Sequence, residues 1–401
     1  MNYLSRALLP ALLAGMFFTA GANAGSPYMA NGIGYQAATD NGPARGMGGA
    51  GLANPNGLNL LTGNPALLAG TAKSTLLFGA SNNLTRTTID GAGTESFSRT
   101  DMDLLMFALP VTRGIVVGWN LSPYSRTDGS MILSRVENGT AIDDDANITG
   151  GISTSHAGIA WGWRDRIRVG YSMNYHFGAI QEEWTRRFPN NPELVPSLYY
   201  LKRKYSGYSH SIGMVASFGP YLSVGAGYTT PATLDRKDYV VIGSLANDDL
   251  LQGKGTSKLP ESIQFGLYSN PSGTLGMALD TAFERWEDAT VTQTERDQYA
   301  NTFRVAAGIR YQQSTRDTDP YYRKIPLSAG VRYRTLYYRS SAPSADTVSE
   351  RAFTLGAEFP LKNEVGYLVT SLEAGTRGDQ QTNGWHDTFV GFNIALIGSL
   401  H

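Results

Sequence analysis

Beyond its first 24 residues the chain has no apolar run long enough for a membrane helix, yet from Lys73 onward apolar side chains recur at every second position. That is the period of a β-strand whose two faces meet different surroundings. In the stretch 389–400, Val390, Phe392, Ile394, Leu396 and Leu400 fall on one side, and Gly391, Asn393, Ala395 and Ser399 on the other. Phe303, Val305, Ala307 and Ile309 alternate with Arg304 and Arg310, and Leu327, Ala329, Val331 and Tyr333 with Arg332 and Arg334. If such a chain crosses a membrane it must do so as a closed barrel, because only closure pairs every backbone group.

A soluble sandwich also alternates, so the connections have to decide. About fourteen strands are expected, near 74–86, 101–110, 113–125, 150–163, 166–180, 204–218, 221–229, 259–269, 274–286, 300–312, 325–338, 350–360, 365–378 and 387–400. The links at 110–113, 164–166, 219–220, 270–273 and 361–364 are tight, whereas the others run to roughly 28 residues. Brief periplasmic turns and long external loops have this rhythm, with 313–324 the one long turn. Trp119, Trp161, Trp163, Trp184, Trp286, Tyr333 and Tyr337 lie where interfacial aromatic girdles belong. The fold class is all-β: a transmembrane antiparallel β-barrel of about 14 strands over 73–401, with an N-terminal hatch or plug over 25–72.

Export is written at the start. Arg6 precedes the apolar run 7–20, and Ala22-Asn23-Ala24 supplies the small residues of a cleavage site, so residues 1–24 read as a signal peptide. Together with the barrel this places the chain in the bacterial outer membrane. A net charge of -1, from 33 basic and 34 acidic side chains, gives no concentrated field for nucleic acid. No cysteine is present, which excludes disulfides, thiolate metal sites and a cysteine nucleophile.

Residues 25–72 lack the alternation and are glycine-rich, as in the run Arg45-Gly46-Met47-Gly48-Gly49-Ala50-Gly51. No Lys-Ser/Thr pair follows it, so it is not a phosphate loop. A compact small-residue segment ahead of a barrel can fold back and fill the lumen. Asn64-Pro65-Ala66 then forms the join to the first strand, with Pro65 fixing the chain direction.

With Gly46 to Gly51, Asn64-Pro65-Ala66, Ser122-Pro123-Tyr124, Gly227-Tyr228-Thr229-Thr230-Pro231, and Leu259-Pro260 leading to Gly266 and Trp286 in view, the chain resembles the FadL/TodX long-chain fatty-acid transporter family of outer-membrane proteins. The resemblance follows strand order across the mature chain, and its ending Ser399-Leu400-His401 departs from the usual terminal aromatic. It implies a 14-stranded monomeric barrel, an N-terminal hatch and hydrophobic ligands. The expected function is uptake of hydrophobic compounds such as long-chain fatty acids or hydrocarbons, with outer-membrane lipid as the other partner and no cofactor or metal.

Two apolar external loops are expected to capture ligand, to pack on each other as a lid, or both, one with Trp184, Phe188, Leu194, Leu198 and Leu201, the other with Tyr239, Val241, Ile242 and Leu251. In the resembled family these two loops form the first capture site. Gly46, Met47, Gly48, Gly49, Asn64, Pro65 and Ala66 are the expected hatch and gating residues. Pro123 either opens a gap in the wall, because proline removes a ladder hydrogen bond, or ends the third strand at the rim. Strand parity turns Arg168, Asp280, Glu284, Arg304, Arg310, Arg332 and Arg334 into the lumen, to pair with one another and hold the hatch.

Catalysis finds no support. Ser209-His210-Ser211 and Trp385-His386-Asp387 are the candidates, but neighbours on a strand point to opposite faces and make no nucleophile–base pair. The competing class is a barrel component of a protein secretion or export apparatus, which a co-purifying partner would reveal.

Overall fold

The computed structural model describes residues 26–400 apart from 30–31, 38–41, 56–62, 90–92, 138, 165, 192, 243–250, 291–298, 315, 317, 340–346 and 362–364. The expected signal peptide and its cleavage site therefore lie outside the described residues. The strands are β1 (Tyr35–Gln36), β2 (Ser74–Ile89), β3 (Gly93–Thr112), β4 (Ile115–Glu137), β5 (Thr140–Trp163), β6 (Ile167–Arg187), β7 (Ser197–Phe218), β8 (Leu222–Thr229) and β9 (Ala232–Ile242). They continue as β10 (Leu251–Leu259), β11 (Ser262–Ser269), β12 (Leu275–Glu284), β13 (Thr302–Tyr311), β14 (Leu327–Arg339), β15 (Thr347–Pro360), β16 (Gly366–Arg377) and β17 (Trp385–Leu400).

From β2 onward these segments build fourteen staves. β8 and β9 are halves of one stave bent at Thr230-Pro231, and β10 and β11 are halves of the next, bent at Pro260-Glu261. Proline lacks the N–H that a ladder needs, which explains a break in both neighbours at one level. Antiparallel pairing of β17 with β2, from Trp385↔Ile89 to Leu400↔Ser74, closes the barrel. Closure pairs each stave with two neighbours, and the β3–β4 ladder stops partway, at Leu105↔Leu121.

The two faces are inverted relative to a soluble protein. Leu76, Phe78, Ile212, Met214, Val331, Leu355 and Leu396 stand exposed on the outside, while Asn120, Ser172, Asn174, Arg332, Glu350 and Asp387 are buried within. Trp119, Trp161, Trp163 and Tyr333 are exposed on the outer surface. Trp286 and Tyr337 correct the girdle expectation: both are fully buried, stacked with ring centroids 4.0 Å apart.

Several strands are longer than the alternation predicted. β4 runs to Glu137, β5 starts at Thr140 and β6 ends at Arg187, and β5 and β6 stay in continuous register from Trp163↔Ile167 to Asp143↔Arg187. Water wets both faces above the bilayer, so the alternating signal fades there although the pairing continues.

The segment before β2 lies inside this wall. On β4, β6, β7, β13, β14 and β15 the inward positions Gly118, Gly170, Gly213, Gly308, Gly330 and Gly356 each abut it, at Leu68, Pro65, Asn64, Met47, Met47-Gly48 and Gly46. A Cβ at any of the six would press into those atoms: backbone meets backbone at Gly170, Gly308, Gly330 and Gly356, while Gly118 and Gly213 leave room for the Leu68 and Asn64 side chains.

Candidate functional site

Four sets of side chains fix the inner segment. Asp280 accepts from the amides of Gly51 at 2.7 Å and Leu52 at 2.8 Å. Arg304 donates to Gly49 O at 3.2 Å and Arg168 to Pro55 O at 2.5 Å, while Arg45 pairs with Asp103 of β3. Thr354 receives Gly48 N at 2.8 Å and donates to Gly46 O at 3.0 Å, with Met47 buried beside it. Asn64 caps the short 3-10 helix Pro65–Gly70 by accepting from Ala66 N, and its amide donates to Leu52 O and to Met214 O of β7, each at 3.1 Å. Asn-Pro-Ala thus ties the inner segment to itself and to the wall.

Higher in the lumen the charges pair among themselves. Glu350, fully buried, receives Arg334 at 2.8 Å, Arg377 at 2.9 Å and Arg332 at 3.3 Å, and Arg332 also meets Glu373. Glu284 accepts from Gln36 and Trp286, each at 2.7 Å, whereas at the periplasmic end Arg310 grips Glu358 through two bonds of 2.6 and 2.8 Å. Tyr35 donates to Glu350 at 2.6 Å, with the guanidinium carbons of Arg377 and Arg334 4.1 and 4.6 Å from its ring centroid. At the entry, Ser26 donates to Asp387 at 2.6 Å and Tyr28 to Trp385 O at 2.7 Å; burial pushes the Tyr28 phenol above its usual range. Two lumen cavities border the segment 35–37, one of about 80 Å³ at Gln36 and Ala37 and one of about 70 Å³ at Tyr35 and Ala37, room for a few waters.

The wall has a seam. β3 pairs with β4 only as far as Leu105↔Leu121, so β3 from Gly93 to Leu104 meets β2 alone. Pro123 stands two residues past that last pair, opposite Ser153 of β5, and a bulge follows before Ser125↔Ile152. The abandoned edge of β4 is taken by β1: Tyr35↔Arg126 and Gln36↔Ser125 pair antiparallel, and Ala37 N donates to Tyr124 O at 3.0 Å. Side chains span the rest. Arg126 pairs with Asp101 and with Asp103 at 3.4 Å and donates to Met102 O at 2.9 Å; Arg99 reaches Asp101 at 2.9 Å and Asp128 at 3.4 Å.

The two expected capture loops are corrected. Leu198 and Leu201 belong to β7, Tyr239, Val241 and Ile242 to β9, and Leu251 opens β10; Tyr199↔Ile242, Tyr200↔Val241 and Leu201↔Val240 are ladder pairs. Neighbours on a strand face opposite ways, so buried Leu201 on the lumen side and Leu198, Tyr239 and Val241 on the outer side belong to no single apolar clasp. Trp184 ends on the lumen side opposite Tyr199, and the tip at 188–196 carries Phe188 and exposed Leu194 and Val195. The lumen side of this extension is charged, with Asp144 between Arg135 and Arg186, Glu182 on Arg203 and Arg236 on Asp238. Sequence reading missed the seam charges Arg99, Asp101, Asp103 and Arg126 and the inward glycines; glycine inside an otherwise regular strand is the available signal for the latter.

A closed 14-stave barrel, apolar outside and charged within, has the build of a membrane-spanning β-barrel. The fold is similar to that of a Pseudomonas aeruginosa FadL homologue, at 12% identity and a TM-score of 0.63 over 90% of this chain and 98% of that one. The Pseudomonas putida toluene transporter TodX follows at 15% identity and 0.60, covering 88% and 96%, and the monoaromatic hydrocarbon channel CymD at 15% and 0.59, covering 93% and 99%. A comparison with curated proteins finds no match. The chain belongs to the BamG family, whose model matches residues 6–399.

Proposed function

We propose that this barrel takes up hydrophobic small molecules, fatty acids or hydrocarbons, across the outer membrane. The observation that carries this reading is the seam between β3 and β4. A molecule that prefers lipid to water gains about 25 cal/mol per Å² of apolar surface by leaving through a wall instead of down an aqueous axis. The seam is the stretch where leaving the lumen breaks no backbone ladder between staves.

First contact is made at the apolar tip, by Phe188, Leu194 and Val195. Segment 25–72 is the hatch, and its strand β1 on the vacated edge of β4 is the gate: displacing Tyr35–Gln36 exposes the edge and frees the space beside Pro123. Uptake of labelled toluene or palmitate by cells carrying Pro123→Val tests the route. A valine that lets pairing extend past Leu121 slows uptake; unchanged uptake removes the seam from the route.

A second reading has one observation in its favour. The lumen is filled by backbone contacts and ion pairs, which suits an accessory barrel of a protein secretion or export apparatus whose work is done at its surface. Purification in mild detergent separates the two: a stoichiometric protein partner with no uptake defect on deletion favours the accessory barrel.

A further inference from the structure

Above the bilayer, β7, β9 and β10 carry three lysines in one row. Lys204 pairs directly with Lys237, and Lys237 directly with Lys254. Directly opposite residues share a face, so the three ammonium groups stand side by side, all exposed. Lys202 follows two residues further along β7 on the same side. β7 keeps one register against β6 from Ile167↔Ala216 to Arg186↔Ser197, so this face is continuous with the one carrying exposed Tyr208, Ile212 and Met214.

Like charges directly opposite one another destabilise a sheet. Among the described residues none of these lysines is ion-paired; Asp235 and Glu183 share the face but bond none of them, and Lys204 Nζ instead sits 4.6 Å from the Tyr239 ring centroid. The arginines of the same strands point to the lumen side, where each has its carboxylate: Arg203 on Glu182 and Arg236 on Asp238. Just below the lysines lies an aromatic group typical of a membrane interface, with Tyr175 4.9 Å from Tyr208 and 5.6 Å from Phe177 between ring centroids.

We propose that Lys204, Lys237 and Lys254 form a binding site for the phosphate groups of an outer-leaflet lipid headgroup, with Lys202 at its upper edge. An unpaired basic row directly above an aromatic girdle is at the depth of that headgroup, and each phosphate oxygen accepts a charge-assisted bond from an ammonium. The site rests on the outer-membrane placement of the barrel and not on transport, so its failure leaves the uptake reading untouched.

Native mass spectrometry of the detergent-solubilised mature barrel tests it, with bis-phosphorylated lipid A, the same lipid stripped of phosphate, and inorganic phosphate as probes. The wild-type chain is expected to hold the phosphorylated lipid about tenfold more tightly than the stripped one. Lys204→Gln/Lys237→Gln/Lys254→Gln abolishes that difference, the triple arginine variant keeps it, and Lys73→Gln at the opposite end leaves it unchanged. Lys237→Gln alone, at the centre of the row, gives a threefold or greater loss if the triple variant does not fold into a heat-modifiable barrel. Equal affinity for the two lipids, or full retention in the glutamine variants, overturns the proposal. So does displacement of the lipid by equimolar inorganic phosphate, which would mark a site for a free anion.

Discussion

Arg126 of β4 donates to the backbone carbonyl of Met102 in β3 at 2.9 Å, across the stretch where the two strands exchange no backbone hydrogen bonds. One side chain thus does for the wall what a ladder does elsewhere, with Asp101 and Asp103 holding its guanidinium in place. Arg126→Ala is expected to cost about 1–3 kcal/mol, since it leaves partly buried carboxylates short of a partner. The heat-modifiable band should melt at lower temperature while uptake of a hydrophobic dye rises; an unchanged melt and unchanged uptake would show that the seam is held by other contacts.

Gly330 tests how the inner segment is seated. A Cβ there would collide with Met47 and with Gly48 N, both backbone-bound and unable to yield. Gly330→Val should leave barrel closure intact yet release the inner segment. Limited proteolysis should then cut between 42 and 72 in the variant and not in the wild type; equal protection in both would mean that the segment is anchored elsewhere.

Asp280 accepts the Gly51 and Leu52 amides of the inner segment with one oxygen, so its loss leaves buried N–H groups unsatisfied. Asp280→Ala is predicted to destabilise hatch seating by about 2–4 kcal/mol, and Asp280→Asn by less, because an amide oxygen still accepts. Hydrogen exchange at Gly51 and Leu52 reads this directly, with exchange faster in alanine than in asparagine. Identical rates in both variants and the wild type would contradict it.

The apolar tip is predicted to matter only at its end. Leu194→Ser/Val195→Ser should slow hydrophobic uptake severalfold, because both side chains are exposed where a ligand first meets the protein. Leu198→Ser, on the outer side of β7, should not. Equal slowing by both would mean that the two sides of the sheet act together.

Much of the barrel was legible in the sequence because lipid and lumen impose opposite demands on alternate residues. Strands such as 300–312 and 325–338 fall close to the observed β13 and β14. Alternation was silent above the bilayer, where β4 to β7 and β9 to β10 run on as paired strands and turn the expected loop at 230–258 into a hairpin limb. Lumen charges followed from parity, but their partners did not: Glu350 of β15 gathers Arg332 and Arg334 from β14 and Arg377 from β16, which depends on the register of three adjacent strands and not on alternation within any one of them. Nor could any local pattern show that β1, two residues long, pairs with β4, since that contact depends on an edge left free by a distant strand.

The most direct test of hatch-gated passage is uptake through a locked seam. The chain has no cysteine, so Gln36→Cys/Ser125→Cys introduces a single pair at positions that stand opposite each other in an antiparallel ladder, within disulfide reach. Uptake of labelled toluene or palmitate should fall about tenfold when the pair is oxidised and recover on reduction, with each single-cysteine variant unaffected. Equal uptake in the oxidised and reduced states would contradict gating by the hatch strand.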